Sequence, residues 1–310
     1  MNQQARSAYQ SPHWSILLVM YLAVAVAAPV LAWLSGYPRR PWNDELSSAA
    51  AMVAFAMLLM EFATTGRIRF ITDRLQHDLT MHWHRITAIL IVVIAFLHPY
   101  FYTQQNSSPP VDDPTQLLHL GLTGTSLITG IAGLVLLMAL VVLAAFRGSL
   151  NYRYETWRIG HAVGAVVVVS LLMTHVLIAG RYSSQIEAIR WLWIGLAALA
   201  AMAIIYTFVV VPLMMRNRPY RLASREQKRK GEWLLTFAPI GFALPPFRHG
   251  QCVWLCFNSP FAILEHPFSV PGDQSHEGGV TFAIHERGDW TRQVGQIPIG
   301  ATAFLNGPYG

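Results

Sequence analysis

The chain has 310 residues, 54% of them hydrophobic and only 12% charged, with a mean hydropathy of +0.38 and a formal net charge of +6. Soluble domains carry about 25% charged residues, so this composition excludes a wholly soluble protein and a disordered one. Two cysteines exclude a disulfide framework and an iron–sulfur cluster held by four thiolates; Cys252 and Cys256, in CVWLC, are expected to be buried free thiols.

Residues 1–14 form a short tail whose one basic residue is Arg6. Six stretches then approach the ~20 apolar residues that a membrane helix needs: Ser15–Leu34, Ser47–Ala63, Met81–Phe101, Thr125–Phe146, Trp157–Ala179 and Trp191–Met215. The first is too long for a signal-peptide core and is read as retained; the second carries Glu61 near its end. With the N-terminus inside, inner segments hold 13 basic residues against four outside (Arg39, Arg40, Arg181, Arg190). Seven of the 13 crowd Arg216–Lys230 directly after an apolar run. That is a cytoplasmic membrane flank under the positive-inside rule, and no pattern of stacking aromatics points to nucleic acid. Both termini are therefore expected in the cytoplasm of a multi-pass cell-membrane protein.

From Gly231 onward, alternation at Val280, Phe282 and Ile284, the buried run Cys252–Phe257 and frequent Gly and Pro predict short strands. Their spacing suggests a small antiparallel barrel over residues 216–310, behind a six-helix membrane domain over residues 15–215.

Ionisable residues inside membrane helices are costly and mark functional sites. The third stretch carries His84 and His98, the fifth His161 and His175. Each pair is 14 residues apart, about 40° short of four helical turns and roughly 21 Å along the axis. Both members of a pair thus share a face, and the two helices place His84 with His161 at an inner depth and His98 with His175 at an outer one. Facing imidazoles can take both axial positions of a haem iron, and two levels make a path across the membrane. Gly164, Ala165, Thr87 and Ala88 are small residues that leave room for a macrocycle; Arg85 and Arg158 either pair with propionates or snorkel at the membrane edge. His82 lies on another face, and His77 and His119 are expected to be solvated in loops. A packed histidine, or a proton relay in a transporter, is the competing reading.

These histidines, with Glu265-His-Pro-Phe-Ser269, Gly288-Asp-Trp-Thr291, Phe247-Arg-His-Gly-Gln251 and Gly307-Pro-Tyr-Gly310, resemble the ferric reductase-like transmembrane family, which includes the NADPH oxidases. The resemblance implies six helices holding two haem b groups through His84 and His161 (inner) and His98 and His175 (outer), followed by a cytoplasmic FAD-binding barrel. It also implies flavin contacts at His266, Pro267, Phe268 and Ser269, with Phe268 over the isoalloxazine, and a pyrophosphate turn at Gly288, Asp289 and Thr291. Pro271-Gly272 departs from the small or Ser residues usual after that strand. Family members continue into an NAD(P)H-binding domain, so the chain is expected to be a fragment or to be served by a separate reductase. The implied activity passes electrons from reduced FAD through both haems to an acceptor outside. In the oxidases a His follows the outer ligand by one turn; Tyr102 stands there, which favours ferric chelate over oxygen. A superoxide-generating oxidase and a non-catalytic haem-bearing subunit are the alternatives.

Overall fold

The structure, a computed structural model, describes residues 12–103, 124–150, 153–244, 251–262, 265–270 and 279–310. His119, Pro271-Gly272, Arg6 and most of Phe247–Gln251 lie outside these residues. In chain order the elements are α1 (Pro12–Leu34), α2 (Trp42–Met60), α3 (Arg69–Leu75), α4 (His77–Thr103), α5 (Thr125–Ala145), α6 (Tyr154–Ala179), α7 (Arg181–Gln185), α8 (Glu187–Ile205), a π turn (Tyr206–Val210) and α9 (Val211–Arg216). The strands are β1 (Pro219–Arg229), β2 (Glu232–Pro239), β3 (Cys252–Phe257), β4 (Glu265–Ser269), β5 (Val280–His285) and β6 (Thr302–Tyr309), with a 3-10 turn at Thr291–Gln296. Packing divides the chain into two units, Tyr9–Thr64 with His82–Ala201 and Thr65–Met81 with Met202–Gly310.

In the helical unit, large apolar side chains lie exposed on most helices: Val19 and Met20 on α1, Val93 and Phe96 on α4, Val135 and Val142 on α5, Val163 and Ile178 on α6. Such surfaces suit lipid and identify a multi-pass membrane protein. Among the described residues, five helical stretches are long and apolar enough to cross a membrane: Trp14–Leu34, His77–Thr103, Leu127–Ala145, Tyr154–Ala179 and Glu187–Arg216. The expected six-span bundle is therefore corrected to five candidate spans. The exception is α2. Its first turn holds Asn43, Asp44 and Glu45, with buried Ser47 just beyond, which shortens the apolar run, and Met52 and Ala54 through Leu59 are buried. Its acidic residues sit where the helix dipole favours negative charge.

Lipid is as apolar as Leu, so helices here associate through close packing and small interface residues rather than through hydrophobic burial. Ala25, Ala28 and Ala32 of α1 and Ala56 of α2 are buried in this core, and Phe55 of α2 meets Trp193 of α8 edge-on at 5.2 Å. Between α5 and α6, a methyl group at Gly133 would come within 2.6 Å of Leu172, and one at Gly164 within 2.7 Å of Leu140.

The second unit is an antiparallel sheet in the order β4-β3-β6-β1-β2-β5. The expected barrel is a second correction: β4 and β5 are the two edges, and no ladder joins them among the described residues. Pro267, opposite Trp254 in β4, has no N–H to donate and confines that strand to an edge. The strand pattern also begins earlier than expected, because the basic run from Arg221 to Arg229 is itself β1, turning into β2 at Gly231 with φ of 78°. As expected, β3 is buried almost throughout, β5 alternates with Val280, Phe282 and Ile284 inward, and both cysteines are free and buried.

Candidate functional site

Helices α4 and α6 bring the four histidines together as two pairs. The His84 and His161 rings have centroids 6.5 Å apart at an interplanar angle of 78°, and those of His98 and His175 are 6.2 Å apart at 66°. Matched pairs at both ends mean that the two helices run in the same direction.

Helix α2 and Glu61, the residue that caps its C-terminus, supply what the spacing alone does not show. Ser47 and Glu61 are also 14 residues apart, and each meets one α4 histidine. Glu61 Oε2 lies 2.5 Å from His84 Nδ1. The Ser47 hydroxyl donates to the His98 carbonyl at 2.8 Å, while Ser47 Oγ and the Ser47 carbonyl lie 2.9 and 3.1 Å from His98 Nδ1. A carboxylate and a carbonyl only accept, so both imidazoles carry their proton on Nδ1 and keep the Nε2 lone pair for a ligand. Tautomer fixation through the far nitrogen is how metal-binding histidines are ordinarily held.

On the opposing helix, Trp157 stacks on His161 with centroids 5.4 Å apart. Gly130 of α5 lies so close to His175 that a Cβ there would stand 2.6 Å from Nδ1.

Two metal–imidazole bonds of about 2.0 Å each put ligating nitrogens about 4 Å apart. The rest of each 6.2–6.5 Å separation is two ring radii, so both pairs fit a six-coordinate iron between them. Among the described residues no group of three or more His, Cys, Asp or Glu could hold a metal ion. Each level thus offers two imidazoles.

The His98–His175 pair borders a cavity of about 70 Å³ lined also by Arg40, Asp44, Tyr102 and Arg181. Arg40 pairs with Asp44 at 3.6 Å and Arg181 with Glu45 at 3.1 Å. Burial and the Glu45 carboxylate push the Tyr182 phenol upward, which keeps it a donor, at 2.6 Å, to that carboxylate. Sequence reasoning missed Ser47, Glu61, Gly130 and these two buried arginines. The 14-residue echo of the histidine spacing in Ser47 and Glu61 was the available signal.

Other expected roles change. Gly164 lies against Leu140, Thr87 is buried and bonds back to the Trp83 carbonyl, and Arg85 and His82 are exposed. His77 is not solvated: it is half-buried, its Nδ1 lies 3.2 Å from the Gly66 carbonyl, and its ring meets Trp254 at 6.0 Å.

In the sheet unit, β4 splits the HPFS residues between two faces. His266 stacks on Trp290 at 4.2 Å, and Phe268 packs between Trp290 and Phe282 at 5.8 and 6.1 Å, while Pro267 and Ser269 are exposed. The Thr291 hydroxyl accepts the Arg287 and Gly288 N–H groups at 2.9 and 2.8 Å, so it stabilises its own turn beside exposed Gly288 and Asp289. Glu265 forms a buried ion pair with Arg67 at 2.8 Å, and the Arg67 guanidinium lies 3.5 Å over the Trp254 ring.

Residues 50–172 match the family model of the ferric reductase like transmembrane component. The matched stretch, similar to that component, includes His84, His98 and His161 and stops just short of His175. An uncharacterized protein of Archaeoglobus fulgidus is 26% identical over 137 residues, 43% of this chain and 74% of its own length. Among solved structures, a flavohemoglobin from Malassezia yamatoensis with bound FAD and heme is 14% identical, with a TM-score of 0.33 over 86% of this chain and 64% of that one.

Proposed function

We propose that the chain is a membrane electron-transfer oxidoreductase that holds two haem b groups, one between His84 and His161 and one between His98 and His175. It takes electrons from a flavin on the cytoplasmic side and delivers them to an acceptor across the membrane. The observation that carries the reading is the pair of facing imidazole sets, at 6.5 and 6.2 Å, with both α4 tautomers fixed by α2. A bound haem supplies reversible one-electron transfer with no proton exchanged at its ligands. His84 and His98 are held in orientation by Glu61 and Ser47, Trp157 braces His161, and Gly130 leaves the space the His175 ring occupies.

Direction follows from charge. Arg67, Arg69 and Arg74 precede α4, Arg147 and Arg153 precede α6, and the Arg216–Lys230 cluster precedes and forms β1. The positive-inside rule places the His84–His161 level and the sheet domain (residues 216–310) on the cytoplasmic side.

FAD fits the sheet domain in part. Pro267, Ser269, Gly288 and Asp289 are accessible to it, whereas Phe268 is engaged in packing and Thr291 in its own turn. His266 contributes to the stacked pair with Trp290 beside that strand. Tyr102, 6.4 Å from His98 by ring centroid, stands where the oxidases place a histidine, and ferric chelate is the acceptor we favour.

The test is an absorption spectrum of the purified protein, oxidised and reduced. Low-spin bands at two haems per chain are expected, and His175→Ala should remove one haem only. Colourless protein from haem-replete cells would overturn the reading. Membranes supplied with a reductase and NAD(P)H should reduce an impermeant ferric chelate; superoxide without chelate reduction would reassign the acceptor to oxygen.

A further inference from the structure

The two histidine levels have the same imidazoles but different partners behind them. Behind His84 stands a carboxylate. Glu61 is 6% exposed, lies 2.5 Å from Nδ1, and accepts the Tyr21 hydroxyl at 3.3 Å and the Thr64 hydroxyl at 2.9 Å. Behind His98 stands neutral Ser47, offering only a hydroxyl and a carbonyl oxygen. The cavity beside that second pair is lined by Arg40 and Arg181, each paired with a carboxylate, Asp44 and Glu45.

We propose that Glu61 is a positioning residue that separates the two levels in redox potential, making iron between His84 and His161 harder to reduce than iron between His98 and His175. The proposal rests on the bis-histidine reading above. A carboxylate accepting from a ligand imidazole raises the basicity of that ligand. Its negative charge, in surroundings of low dielectric, favours the ferric state over the ferrous one with one less positive charge. At the other level the hydrogen-bond partners are neutral, and the nearby guanidiniums of Arg40 and Arg181 are balanced by Asp44 and Glu45. One electron leaving ferrous iron at the first level, which becomes ferric, reduces ferric iron at the second to ferrous; no bond is made or broken and no proton moves. The α2 side chains thereby bias transfer in one direction, from the His84 end of the helix pair to the His98 end.

The experiment is a spectroscopic redox titration of the purified, haem-loaded full chain. Wild type should show two one-electron waves, and His161→Ala should keep only the higher, which assigns the lower to the His84 level. Glu61→Gln preserves shape and hydrogen bonding without the charge. It should raise the lower wave so that the ferrous-to-ferric ratio at a fixed potential increases about tenfold, 59 mV for a one-electron couple, with the higher wave in place. Glu61→Asp should return the lower wave toward wild type. Tyr21→Phe removes a donor that draws charge from Glu61 and should move the same wave the opposite way, a sign that mere loss of packing does not explain. Two intact haems with an unmoved lower wave in both Glu61→Gln and Tyr21→Phe would overturn the proposal alone. So would His161→Ala retaining the lower wave. A chain with no haem would overturn the bis-histidine reading and this proposal with it.

Discussion

Arg67 brings a positive charge to a position where 6% of its surface meets solvent, and Glu265 matches it at 5%. Removing one member of a buried pair strands the other and costs about 3–5 kcal/mol, whereas replacing both with apolar residues is often neutral. Arg67→Ala should therefore lower the thermal midpoint of the purified chain far more than the double change Arg67→Met with Glu265→Leu. A larger loss in the double variant would contradict this account. Close by, burial pushes the Cys252 thiol up to about 12, against the opposing pull of Arg67. The thiolate is the reactive form, so a raised value leaves it scarce at pH 8 and increasing as the pH climbs. Maleimide should label Cys252 slowly in the folded chain at pH 8, faster as pH rises, and rapidly after unfolding; rapid native labelling at pH 8 would refute the buried thiol.

Among the elements, α5 touches the site through a single glycine. A methyl group at Gly130 would lie 2.6 Å from the His175 ring, while one at Gly195 meets nothing within 4 Å. Gly130→Ala should reduce the haem content from two per chain toward one, read from the absorption spectrum, and Gly195→Ala should leave it at two. How much of this was legible in the sequence differs by element. The four histidines announced themselves because charge-capable residues are rare in apolar runs and because a 14-residue repeat places both on one face. Strand β5 showed its inward residues by alternation, and β3 by its apolar run. Helix α2 misled because a window over its apolar half hides the polar first turn. Its partnership with α4 was hidden because periodicity reveals a face but not the neighbour that face meets. Closure of the sheet was illegible for a similar reason: pairing between strands distant in sequence is fixed by edges and register, and only Pro267 hinted that β4 had to be an edge. Phe268 and Thr291 were matched to a motif, but their packing and turn bonds exist only once Trp290 and Gly288 are in place.

For the molecule as a whole, the proposed orientation rests on charge and lipid-facing surface together. Exposed Phe96, Val93 and Val163 require the acyl region, and the basic residues from Arg216 to Lys230 resist translocation. A single cysteine introduced at Lys230, with the two buried native thiols serving as the background, should react with an impermeant maleimide in inverted vesicles and be protected in intact cells. The reverse pattern would invert the proposed direction of electron flow. The three matched intervals, 47 to 61, 84 to 98 and 161 to 175, act as rulers of equal length laid side by side. One inserted residue turns everything beyond it by about 100° and advances it about 1.5 Å. A single-codon insertion within any one of these intervals should therefore unseat one rung of the ladder while the other stays aligned, even at a position where every point substitution is tolerated.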